Sequence, residues 1–124
     1  MNERRLWLRL AAASGLISVA AGAFAAHGVA DPVAKEWLRT GASYEAIHAL
    51  ATLLCLALFP VGVPRARIPP PLFLGGSALF CGSLYAMALG APHWLGAVTP
   101  LGGLLFLAGW ASLGWAAGDA QASD

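Results

Sequence analysis

Charge is what this sequence most lacks. Asp, Glu, Lys and Arg make up 10% of its 124 residues, where soluble domains carry about 25%. A soluble domain this small must cover a large relative surface with polar groups. So few charges exclude that, and lipid has to solvate much of the surface. The chain has no long basic run and no lysines interleaved with aromatic residues, and its net charge is +1. That excludes nucleic acid as a partner. Cysteine is scarce too. Cys55 and Cys81 both fall inside apolar segments, without the spacing of a metal knuckle or a disulfide framework, and read as small, buried, reduced thiols. No nucleophile–base pair, phosphate-binding glycine loop or nucleotide motif occurs, so nothing points to an enzyme.

Apolar residues, by contrast, reach 59%. A spanning helix needs about 20 mainly apolar residues. Four windows meet that length, at about residues 6–26, 44–61, 72–90 and 94–117. The expected fold is an all-α integral membrane protein, with four transmembrane helices forming a single domain over residues 1–124. Arg9 interrupts the first window but lies close enough to its end to snorkel. A secretory signal competes for this window, since Arg4-Arg5, an apolar run and Ala23-Phe24-Ala25 fit an A-x-A cleavage site and the arginine pair fits a twin-arginine signal. Against cleavage, the run is longer than a signal core. It also carries a face of small residues, Ala11, Gly15, Ser18, Gly22 and Ala26, at helical spacing. In the third window Ala78, Gly82, Ala86 and Gly90 recur every fourth residue. This small-xxx-small stripe is expected to face another helix, in the same chain or a second copy. Gly102 and Gly103 are the corresponding packing residues of the fourth.

The connections carry their own signals. Asp31 suits a helix N-cap, Pro32 a first helical position and Gly41 a helix end. Val33, Ala34, Trp37 and Leu38 share one face, so residues 32–40 are expected to form a short amphipathic helix in the membrane interface. The second connection, Pro60 to Pro71, holds five prolines with Arg65 and Arg67 and reads as a stiff, extended, basic turn. Thr99-Pro100 permits two readings of the fourth window: a helix starting at Pro100 after a separate short turn, or a continuous helix kinked there. The polar tail from Gly118 to Asp124 reads as frayed.

With four spans the N-terminus, the proline-rich connection and the tail share one side. That side carries Arg4, Arg5, Arg9, Arg65 and Arg67, against Lys35 and Arg39 opposite. The positive-inside rule then places both termini in the cytoplasm.

Several stretches, taken in order, resemble a known family. They are Gly22-Ala23-Phe24-Ala25-Ala26-His27-Gly28, Thr40-Gly41, Tyr44-Glu45-Ala46-Ile47-His48-Ala49-Leu50, Gly82-Ser83-Leu84-Tyr85, Thr99-Pro100-Leu101-Gly102-Gly103 and Leu107-Ala108-Gly109-Trp110. Their order and spacing resemble the small membrane proteins called domain of unknown function 423, whose eukaryotic relatives are similar to transmembrane protein 256. The likeness runs from about Leu6 to Trp115. It departs at Ala25, where glycine is common, and at Glu45, where glutamine is common. The resemblance implies the architecture and a bacterial inner-membrane location, and no activity.

The residues able to carry chemistry gather on one expected side, with His27 closing helix one and Tyr44, Glu45 and His48 opening helix two. They are expected to form one polar cluster near the outer surface. Glu45 and His48 stand three apart and can share a face. Glu-x-x-His is half of a di-iron carboxylate motif, but the other half is missing. His27 and His48 are the weak candidates for a metal or haem. The alternative is that they hydrogen-bond within the chain and lock the bundle, with no cofactor. His93, beside Trp94, reads as interfacial. Two functional classes follow. One is a non-enzymatic helix bundle acting through the bilayer on a second copy or a membrane-protein partner. The other is a binding or transport protein using His27, Tyr44, Glu45 and His48.

Overall fold

The computed structural model of the chain describes residues 2–121, which are helical apart from short connections. Helix α1, Glu3–His27, starts where Asn2 Oδ1 accepts the Arg5 backbone N–H at 2.9 Å, filling one of the donors a helix start leaves open. Asp31 does the same for the second helix, accepting from Ala34 N at 2.9 Å, with Pro32 as first residue.

From there the structure departs from expectation. The interfacial helix of residues 32–40 is not a separate element. One continuous helix, α2, runs Pro32–Leu58. Gly41, read as a helix end, lies inside it. A glycine in a helix interior costs about 1 kcal/mol against alanine. Here the Tyr85 ring lies against the backbone, where any Cβ would collide with it.

The proline-rich connection is not extended either. It coils into two 3₁₀ turns, Phe59–Val61 and Pro64–Arg67, joined through Gly62 at φ 100°. Helix α3, Pro69–Ala88, opens on three consecutive prolines, tolerated in a first turn because its N–H groups have no helical acceptor. Beyond α3 and Gly90 a separate 3₁₀ turn, His93–Ala97, precedes α4, Thr99–Gln121. Pro100 therefore starts the last helix rather than kinking it. The tail expected to fray from Gly118 is helical through Gln121, and residues 122–124 lie outside the described residues. Arg65 clasps this end, donating from its backbone N (2.8 Å) and Nε (2.6 Å) to Asp119 while lying over the Trp115 ring.

All four helices are long and apolar enough to cross a membrane. Each packs along its predecessor, α1 on α2, α2 on α3 and α3 on α4, and α1 touches α3 lightly. Among the described residues no packed interface joins α1 to α4. The helices form an open row with α1 and α4 at its edges. Small residues set the spacing. α1 buries Ala11, Ser14, Ser18 and Ala25, and Gly22 lies near Ala42 of α2. At the α3–α4 crossing a Cβ on Gly102 would strike the Phe80 backbone and the Gly76 carbonyl, while one on Gly103 would meet the Phe80 ring at an ordinary contact distance of 3.9 Å. Gly15 and Gly82 look onto open space and Ala78 is exposed. The stripe through Ala78, Gly82 and Ala86 thus faces no helix of this chain at Gly82. The close face of α3 runs through Gly76, about 120° round the helix from Gly82.

Candidate functional site

Glu45 stands at the midpoint of α2, about 20 Å along the axis from either end, and is 6% exposed. A carboxylate at such depth needs hydrogen-bond donors, because burying it unpaired is very costly. Two hydroxyls from two other helices supply them. Ser14 Oγ on α1 donates to Oε2 at 2.8 Å, and Tyr85 OH on α3 donates to Oε1 at 2.8 Å. One side chain thereby ties three helices together.

One turn on, His48 is 3% exposed and makes the connection to α4. Its Nδ1 lies 2.6 Å from the Tyr44 carbonyl oxygen, and its Nε2 lies 3.0 Å from Trp110 Nε1. A carbonyl only accepts and an indole N–H only donates. The neutral ring therefore carries its proton on Nδ1 and offers the Nε2 lone pair to Trp110. The imidazole also stacks on Phe106, with centroids 3.6 Å apart and planes 11° from parallel. Thr52 OH donates to the His48 carbonyl at 2.8 Å. Near the start of α4 the Ser83 and Thr99 hydroxyls share a hydrogen bond of 2.6 Å.

Comparison with known proteins places the chain in a family. The profile of the family described as "Protein of unknown function (DUF423)" matches residues 21–103. A UPF0382 membrane protein of Haemophilus influenzae is 42% identical over 113 residues, covering 88% of this chain and 90% of the relative. A UPF0382 membrane protein of Schizosaccharomyces pombe is 39% identical, covering 87% and 97%. The Escherichia coli K12 inner membrane protein YgdD is 41% identical, covering 86% and 85%. The chain belongs to the DUF423 family. It is an integral membrane protein, and the family carries no assigned molecular role. No solved structure matches it.

In this DUF423 protein the four residues expected to form one outer cluster do not all converge: the Tyr44 and His48 rings lie parallel, with centroids 6.2 Å apart, and the other two stand elsewhere. His27 is exposed at the end of α1, and its ring has no hydrogen-bond partner among the described residues. Tyr44 is 44% exposed, its ring tilted against Phe80 at 4.7 Å. Glu45 is bonded to α1 and α3, and His48 to α4. The cause is the length of α2. Because the helix begins at Pro32, His48 lies about 24 Å along it rather than one turn inside, far deeper than the end of α1. Successive residues of a helix also diverge by about 100°, so Tyr44 and Glu45 point apart.

Ser14, Tyr85, Phe106 and Trp110 complete the site, and none was singled out from the sequence as a partner of Glu45 or His48. Tyr85 and Trp110 do lie in the motifs that carry the family resemblance, and Ser14 adjoins the small face of α1. A metal on His48 would have to displace Trp110 from Nε2. Among the described residues no three His, Cys, Asp or Glu side chains are grouped to hold a metal ion. Cys55 and Cys81 are free and buried.

Proposed function

We propose that the protein is a non-catalytic membrane subunit acting through lateral helix contacts: an accessory, assembly or oligomer-forming component. It resides in the bacterial inner membrane with both termini in the cytoplasm. The observation that carries this reading is that the interior groups best able to do chemistry are held by one another. Both carboxylate oxygens of Glu45 and both ring nitrogens of His48 have protein partners. What is left for a second protein chain is an edge. Only 17% of the most apolar stretch of α4 is buried, against 39% in α2 and α3, and Leu101, Leu104 and Leu107 stand exposed along it. A binding or transport role through His27, Tyr44, Glu45 and His48 is not favoured, because no one cavity gathers the four: Tyr44 and His48 line a groove against α4, while Glu45 lines the cleft between α1 and α3.

The test is zero-length crosslinking of the protein in native-lipid nanodiscs. The expected product is a discrete species larger than the 12.7 kDa chain, with its yield reduced when Leu104 and Leu107 are both changed to alanine. A protein that stays monomeric and uncrosslinked under all conditions contradicts the reading.

A further inference from the structure

Between α1 and α3, on the side away from the His48–Trp110 contact, the open row leaves a cleft of about 550 Å³ with Glu45 among its lining residues. Its walls are apolar, with Leu10 and Ile17 from α1 facing Leu74 from α3, and Gly82 leaves space where a side chain would stand. Its polar lining is different in kind. It comprises the oxygen groups of Glu45, Ser14, Tyr85 and Ser77, with the Trp7 indole N–H already donated to Glu3, and no lysine, arginine or histidine lines it. Ser14 and Tyr85 have already donated their protons to Glu45, so their oxygens offer only lone pairs. A carboxylate has about four acceptor positions, two of which these bonds fill. Independently, Ser77 is 5% exposed and lines the same cleft, yet its Oγ has no hydrogen-bond partner. A buried hydroxyl without a partner loses free energy that a ligand restores.

An acceptor-rich patch beneath apolar walls selects its occupant by charge and shape. An anionic head would meet Glu45, and a bare ion would leave most of the cleft empty. We propose that the α1–α3 cleft binds an amphiphile with a cationic, hydrogen-bond-donating head, a primary amine seated on Glu45, with its apolar body between Leu10, Ile17 and Leu74. The site is separate from the α4 edge, and its failure would leave the contact role of that edge untouched.

The test uses decylamine carrying a photoactivatable diazirine on its chain, with the intact protein in nanodiscs and labelled peptides mapped by mass spectrometry. Label is expected on segments 10–17 and 74–82, competed by unlabelled decylamine but not by decanol or decanoate. Glu45→Gln keeps the shape and removes the charge, and should weaken competition about tenfold, the loss of one charge-assisted hydrogen bond. Gly82→Leu fills the cleft without touching the packed α3–α4 face, and should abolish labelling while leaving the helical circular dichroism unchanged. Label scattered over lipid-facing residues, equal competition by decanol, or labelling unchanged in Gly82→Leu would overturn the proposal. So would efficient disulfide pairing of Ala78→Cys between two copies, which would put a second chain in the cleft.

Discussion

At the scale of single residues, the interior is organised by pairing the polar atoms of Glu45 and His48 with ones that complement them. His48 is the clearest case because its two neighbours fix the state of its ring. Trp110→Phe keeps the aromatic stack and removes only the N–H, leaving Nε2 buried and unpaired. The expected loss of stability is about 1–3 kcal/mol, read from denaturation in mild detergent. Replacing both partners, His48→Phe with Trp110→Phe, removes donor and acceptor together. The double variant should therefore be less destabilised than the sum of the single ones. Additive losses, or no loss in Trp110→Phe alone, would show that this hydrogen bond does not hold α4 to α2.

At the scale of helices, glycines divide into those that set a distance and those that do not. Gly102 lies where α3 and α4 cross at backbone contact, and Gly82 lies on open space. Gly102→Ala should cost about 1–3 kcal/mol as the helices are forced apart. Gly82→Ala should be neutral, or stabilising by up to about 1 kcal/mol through helix propensity. Equal sensitivity at the two positions in denaturation would mean that a helix covers the stripe. Sequence alone does not separate these glycines, since four-residue spacing finds a smooth face without saying what meets it. It served better where a local rule decides the outcome. Hydropathy and length found four spans, and Asp31-Pro32 marked a helix start, because capping depends on neighbouring residues only; that helix was expected to be a short interfacial one, whereas it is the beginning of α2. Sequence misplaced the end at Gly41, where the deciding contact is Tyr85, 44 residues away in sequence. It took Pro69-Pro70-Pro71 for extended chain although prolines also suit a first helical turn. The site was only half legible for the same reason. Glu45 and His48 are conspicuous as polar residues in an apolar run, but their partners come from other helices. Their depth depended on where α2 begins.

At the scale of the whole molecule, the row is closed on its N-terminal side by short-range ties and left open along its length. Arg65 and Asp119 join the second connection to the end of α4, so the tight connections and the clasp hold the helix ends while α1 and α4 stay apart. Four spans with the arginine-rich side retained inside would put both termini in the cytoplasm. Paired reporter fusions at Asp124 measure this most directly, using alkaline phosphatase, active only after export, and green fluorescent protein, fluorescent only when it stays inside. The expected result is an inactive phosphatase fusion and a bright fluorescent one. An active phosphatase with a dark fluorescent fusion would mean an odd number of spans or the opposite orientation, and would contradict the account.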